Sequence, residues 1–437
     1  MAGMRLLLIS PRILGSGVGK RLFPPLALPA LAAVTPPEVE VSIVDENVES
    51  LNYEIPVDLI GISTHTLTAL RAYHIAQEFR SRGKTVVLGG PHASALPKEA
   101  LKYANCVVIG EAESVWPKII HDFQSHRLHK IYRPEKWINL DRLPFPKRDL
   151  LKNNCYHVFN TIQSSRGCPF NCNFCTVTSF FGGTFRFRPV REVLAEIETL
   201  DGKYIVFVDD NIGANLTRAK ELFQALIPYG KNWGGQATTT FAQNRSLVEL
   251  AARSGCIGLF IGYESISPDS LQEAGKSINI VEKYREGIKQ LHDHGILVHG
   301  SFVFGFDHDA PDIFQRTVDF AMDAKLDSAQ FSILTPYPGT GLYRKLSKEG
   351  RIFTRDWSQY SLQPVFRPRR MSVEQLIEGT RWAMNTYYST SSVMRRFFFT
   401  RHHPLLRFLL NLGFKTRRRD YLRGLFYWRN ESSKVTK

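Results

Sequence analysis

Ser164-Ser165-Arg166-Gly167-Cys168-Pro169-Phe170-Asn171-Cys172-Asn173-Phe174-Cys175 places three thiols within eight residues of a Gly-, Pro- and Asn-containing loop. Nothing regular holds the sulfurs apart, so such a loop can gather them round one centre. Thiolates select soft metals and iron–sulfur clusters. A structural zinc site needs a fourth ligand nearby, and no further Cys or His follows within the next thirty residues. Ferredoxin spacing also fails, because it runs at two-residue gaps with a fourth Cys. The remaining readings are a chance or disulfide-forming group of thiols and, fitting better, a four-iron cluster held by three thiolates. That cluster leaves one iron open to an outside ligand.

The CxxxCxxC spacing with Phe174 before the last Cys resembles the signature loop of radical S-adenosylmethionine (SAM) enzymes. The resemblance implies that Cys168, Cys172 and Cys175 carry a [4Fe–4S] cluster and that the open iron chelates the amino and carboxylate groups of SAM. It also implies an external electron donor of flavodoxin or ferredoxin type.

The chain of 437 residues is long enough for two or three domains. Six cysteines, three of them clustered, predict a reducing cytoplasm rather than a disulfide scaffold. Leu6–Ile9 is too short for a secretory core, and no run approaches the roughly 18 apolar residues of a spanning helix. Of the net charge of +15, +10 lies between Arg395 and Lys437.

Residues 1–125 alternate continuous apolar runs (Arg5–Ser10, Glu40–Val44, Leu59–Ser63, Thr85–Gly89, Cys106–Gly110) with helical stretches such as Ala69–Arg82 and Lys98–Tyr103. Continuous runs predict parallel strands buried on both faces, hence a doubly wound α/β domain whose ligands lie beyond the strand ends. The loops there are Ser63-Thr64-His65-Thr66, Gly89-Gly90-Pro91-His92 and Gly110-Glu111-Ala112-Glu113. With Pro24-Pro25-Leu26, they resemble the cobalamin-binding domain that precedes many radical SAM domains. The resemblance assigns Ser63, Thr64, His65, Gly89, Gly90, Pro91, Gly110 and Glu111 to cobalamin. One departure stands out: where that domain has DxHxxG, this chain has Asp45-Glu46-Asn47-Val48-Glu49-Ser50. The imidazole that would bind cobalt from below is missing. Gly15-Ser16-Gly17-Val18-Gly19-Lys20-Arg21 is not a phosphate loop, since Leu14 and Arg21 replace the required Gly and hydroxyl residue.

Residues 126–157 are basic, Pro-containing and aperiodic, as in a linker. Over 158–345, strands are expected at Val158–Ser164, Tyr204–Val208, Gly234–Thr239, Ile257–Ile261, Leu297–Phe302 and Ala329–Leu334, each followed by a helix, the last through the turn Thr335–Gly341. Such a succession makes a (βα)₆ partial barrel, with chemistry at the C-terminal strand ends. By resemblance, Phe174 belongs to the SAM site, and Asp209, Asp210 and Asn211 bind the amino-group end of SAM. Tyr263, Glu264 and Ser265 bind the ribose side, and Gly300 the adenine. Against these stand N-capping for the aspartates and an ion pair for Glu264.

Residues 346–437 are expected to form a helical basic region, with Tyr337, Trp357 and Tyr360 as candidate substrate contacts. Its arginines interleave with Phe and Leu. That suits peripheral contact with an anionic membrane, at about 1 kcal/mol per cation, or a helical cap on the barrel. No nucleic-acid module appears. The expected activity is cobalamin-dependent methyl transfer to an unactivated carbon of a small, hydrophobic molecule. The alternatives are a non-methylating radical SAM cyclase or rearrangement enzyme, or an iron–sulfur carrier or sensor.

Overall fold

The computed structural model describes residues 3–13, 16–141, 143–360, 363–398, 403–413 and 415. The arginine run 417–419 and Phe426-Tyr427-Trp428 lie outside them. Strands β1 (Arg5–Ser10), β2 (Glu40–Asp45), β3 (Leu59–Ser63), β4 (Thr85–Gly89), β5 (Cys106–Val108) and β6 (Ile131–Tyr132) form one parallel sheet, ordered β2-β1-β3-β4-β5-β6. Both faces of β1 are buried. Leu7 and Ile9 enter one core, while Leu6 and Leu8 enter the other. That is why its sequence is continuous rather than alternating. Helix Ala69–Ser81 covers one face with Ala69, Ala72, Tyr73, Ala76 and Phe79, at helical spacing.

The second parallel sheet comprises β7 (Thr161–Ile162), β10 (Tyr204–Phe207), β11 (Asn232–Ala237), β12 (Cys256–Glu264), β13 (Leu297–Phe304) and β14 (Ser328–Ile333), in chain order and open between β7 and β14. The exposed edge is closed at β14 by Tyr388, whose hydroxyl donates to Ala329 O (2.6 Å) and accepts from Ala329 N (3.1 Å).

Three expectations change. The first barrel strand is two residues, not seven, because the chain turns at Ser164. It then forms an antiparallel pair of β8 (Ser165–Gly167) with β9 (Phe185–Phe187). Gly167 (φ 84°) is required there, since a Cβ would lie 2.1 Å from Thr184 O. The expected linker is folded. It contributes β6 to the first sheet, and Arg148 reaches the buried Glu196 of the barrel, which Arg188 also contacts. Finally, Trp357 and Tyr360 are not substrate contacts. With Val365 they complete the core of the first domain, and Trp357 Nε1 donates to Glu99 at 2.8 Å.

The segment after β14 is tied to the barrel rim. Asp307 pairs with Lys345 (2.8 Å), Arg351 (2.7 Å) and Arg369 (3.1 Å). Burial alone would raise this carboxyl, but hydrogen bonds from Arg351 and Lys345 outweigh it and hold it at about 2, below its ordinary 3.8. A depressed acid stabilises the fold above its unfolded value and loses that contribution as pH falls through the folded one. The melting-temperature gap between wild type and Asp307→Asn should therefore be constant above about pH 5 and close towards about pH 2. A gap that widens on acidification would refute the clamp.

Farther along, Arg407 Nε donates to the buried Asp327 (2.6 Å), and Arg396 stacks on Tyr387 with its guanidinium 3.9 Å from the ring centre. These two arginines face inward and act as a cap.

Candidate functional site

The three cysteines follow β8 and are half-buried, unpaired thiols. They lie close enough for each to sense the others' charge, and burial pushes the Cys172 thiol up to about 11. The loop is clamped through Asn173. Its N donates to Ala274 O (3.0 Å), its Nδ2 to Glu273 O (2.6 Å), and its O accepts from Leu342 N (2.8 Å). Among the described residues, no three His, Cys, Asp or Glu converge tightly enough to hold one ion. A four-iron cube needs no such convergence, because each thiolate takes its own iron. Two buried oxygens beside the loop, Asn211 Oδ1 and Asp209 Oδ2, lack a protein partner, and Asn211 Nδ2 lies 3.8 Å from Cys168 Sγ. The donor set fits a cluster with further polar ligand around it.

The aspartate pair divides its work. Asp209 is fully buried and accepts from both N and Oγ (2.6 Å) of Ser165, so it positions the strand that leads into the cysteines. Burial raises its carboxyl to about 6. Asp210 accepts from Gly167 N (2.9 Å) and lines the cavity described below, so it is the one placed to meet an ammonium.

At the end of β12, Glu264 points into the barrel with φ 63° and pairs with Lys276. Lys276 is buried and close enough to Cys172 and Cys175 to feel their charge. Sequence reasoning missed this lysine, since nothing in Gly275-Lys276-Ser277 marks it. Tyr263 and Gly300 face away from the barrel interior. Tyr263 stacks with Phe302, and a Cβ on Gly300 would meet Leu326 at 2.7 Å. The Tyr263 carbonyl is also engaged, accepting from Asn279 Nδ2 (2.8 Å) and Tyr284 OH (3.0 Å). Ser265 Oγ accepts from Ser267 N and shapes the turn. Phe174 packs against Phe306 beside the loop.

Between the two sheets lies a cavity of about 660 Å³. Of the eight cobalamin candidates, Ser63, His65, Gly89, Gly90, Pro91, Gly110 and Glu111 line it. Thr64 does not: it is fully buried and stitches loops, with Oγ1 donating to Gly89 O at 2.7 Å. Gly90 has φ 93° and a Cβ there would lie 2.7 Å from Thr64 O, so only glycine gives this close-approach floor. A Cβ on Gly61 would strike Leu8 at 2.8 Å and Trp116 at 3.1 Å, so glycine lets these two side chains pack against β3. Gly89, Gly90 and Gly110, together in the cavity wall with no side chains of their own, fit a large flat cofactor. The His65 ring is open, but into the cavity. Enclosure by protein, with His92 nearby, lowers its pKa below the ordinary imidazole value.

Charges clasp the two domains at the rim. Arg166 bonds Glu111 (2.8 Å) and Glu113 (2.6 Å), and Arg186 bonds Glu111 (2.8 Å). Arg166 and Glu111 are therefore committed to each other across the domain boundary. Much of the remaining lining is apolar, with Leu26, Leu31, Leu140, Leu143, Phe180 and Phe181.

Known proteins agree with this geometry. Residues 162–321 match the radical SAM superfamily and residues 18–120 the B12 binding domain. The bacteriochlorophyllide d C-12(1)-methyltransferase of Chlorobaculum tepidum is 31% identical over 385 residues, covering 85% of this chain and 84% of the relative. The hopanoid C-2 methylase of Rhodopseudomonas palustris is 25% identical over 404 residues, covering 87% and 75%. The structure of the radical SAM methyltransferase TsrM from Kitasatospora setae, with cobalamin and a [4Fe-4S] cluster bound, superposes with a TM-score of 0.71 at 15% identity. It covers 99% of this chain and all of that one. This chain belongs to the radical SAM superfamily, among its B12-domain-bearing methyltransferases, with a [4Fe–4S] cluster, SAM and cobalamin as cofactors.

Proposed function

We propose that this enzyme methylates an unactivated carbon of a large, apolar, ring-shaped substrate held between its two domains. The observation that carries the reading is one cavity bounded both by the glycine loops and by Asp210 and the helix after Cys175. When bound, the cofactors supply reductive cleavage of SAM and methyl transfer through cobalt. The chain's own residues bind and orient. Cys168, Cys172 and Cys175 hold the cluster, and Lys276 offsets its negative charge from a water-poor position. Asp210 accepts from the SAM ammonium while its Oδ2 keeps Gly167 N. Leu140, Leu143, Phe180 and Phe181 exclude water and receive an apolar face. Relatives named for bacteriochlorophyllide d and hopanoids support a substrate of this size and polarity.

Among the described residues no helix is long and apolar enough to cross a membrane. Peripheral contact is supported instead by Leu405 and Leu409, which are 69% and 53% exposed on the last described helix, next to the basic tail.

Incubation with methyl-labelled SAM, reductant and an apolar ring substrate should give labelled product together with 5′-deoxyadenosine. 5′-Deoxyadenosine without label would favour a rearrangement or cyclisation. Absence of both would refute radical chemistry.

A further inference from the structure

Among the described residues lining the main cavity and the smaller one beside it, only His65 carries an imidazole, and none is Cys or Met. The element after β2, where this type of domain carries its cobalt-binding histidine, is spent elsewhere. Asp45 accepts from Tyr156 OH (3.0 Å) and from Asn47 Nδ2 (2.7 Å), and Glu46 pairs with Arg71. None of these residues reaches the cavity. The carboxylates that do reach it are committed: Glu111 and Glu113 to Arg166, Glu196 to Arg188, Asp210 to Gly167.

His65 differs in each respect. It follows β3, the strand between β1 and β4 at the middle of the sheet. Its backbone is pinned, with N donating to Thr68 Oγ1 (3.1 Å) and O accepting from Thr68 N (3.0 Å). Its ring is therefore presented from a fixed turn. Beside it, Gly89 and Gly90 line the same cavity and bring no side chains of their own. A pinned imidazole at the wall of an apolar site is the form in which proteins present nitrogen to a metal.

We propose that His65 supplies the axial imidazole beneath the cobalt of bound cobalamin, from the loop after β3 instead of the element after β2. This rests on cobalamin occupying the cavity. The ligand stabilises the more oxidised states of cobalt, because Co(I) sheds its axial ligands. Removing it should make reduction of Co(II) easier.

The test uses full-length protein loaded with unlabelled cobalamin, reduced to the Co(II) state and read by electron paramagnetic resonance. Protein grown with ¹⁵N-histidine should show each cobalt line split into a doublet, where unlabelled protein shows a triplet. His65→Ala should lose the splitting, keep cobalamin and the cluster, and move the Co(II)/Co(I) potential to more positive values. A triplet unaffected by the label would assign the ligand to the cofactor's own base and overturn the proposal. So would unsplit lines, or a doublet that survives in His65→Ala. If His65→Ala fails to fold, His65→Gln takes its place in the same labelled measurement, and a doublet surviving there overturns the proposal equally. If cobalamin does not bind wild type at all, the cofactor reading itself falls, and this proposal with it.

Discussion

Cys172→Ala is expected to reduce bound iron and sulfide to background and abolish 5′-deoxyadenosine formation, with cobalamin still bound. None of the other three cysteines, all among the described residues, is a spare ligand. Cys106 and Cys256 are buried in the two sheets, and burial pushes both thiols up, Cys106 to about 12. A thiol so disfavoured as thiolate is a poor metal ligand. Cys155 sits in the short turn Asn153–Cys155, whose carbonyl holds Arg21 N. The loops that floor the cavity are built from Thr64, Gly89, Gly90 and Ser94, and their hydrogen bonds do not involve the cysteines. Cobalamin retention thus separates loss of the cluster from general unfolding. Wild-type iron content in the variant would sink the three-thiolate assignment.

Glu196→Ala should be the most destabilising single change at the cavity wall, by roughly 3–5 kcal/mol, because it leaves buried guanidiniums without their anion. Glu196 is fully buried between Arg148 and Arg188. Arg148 also donates to Thr161 O (2.6 Å) and Arg188 to Gln163 O (3.1 Å), so both stay buried when the carboxylate is gone. Urea unfolding with an unchanged m-value reads the loss directly. A change below about 1 kcal/mol would mean that water reaches these arginines, contrary to the described packing.

The parts of this fold visible in sequence are those fixed by local periodicity. The buried parallel strands are continuous apolar runs, and five of the six barrel strands fall within a few residues of where that pattern puts them. The cysteine spacing and the glycine pairs are equally local signals. What escaped depends on contacts between distant segments. Asp209 and Asp210 are neighbours of identical type, and only the position of Ser165 decides that one positions a strand while the other faces the cavity. Lys276 acquires its meaning from Glu264 and the cysteine loop, which pack against it in three dimensions. Tyr263 and Gly300 lie near strand ends, where the resemblance puts ligand contacts, yet strand alternation turns both towards the helices. The first strand stops short because Ser165 bonds to Asp209 and Ser165–Gly167 pairs with β9, contacts between distant segments that bend the chain away after Ile162.

The insertion of Trp357, Tyr360 and Val365 into the first domain's core sets the order of events during synthesis. The first sheet leaves the ribosome without the residues that finish its interior, so the nascent domain holds an unsealed apolar face until the whole barrel has followed. A fragment ending after β6 should accordingly come out as inclusion bodies, and adding the later segment in trans would supply what is missing.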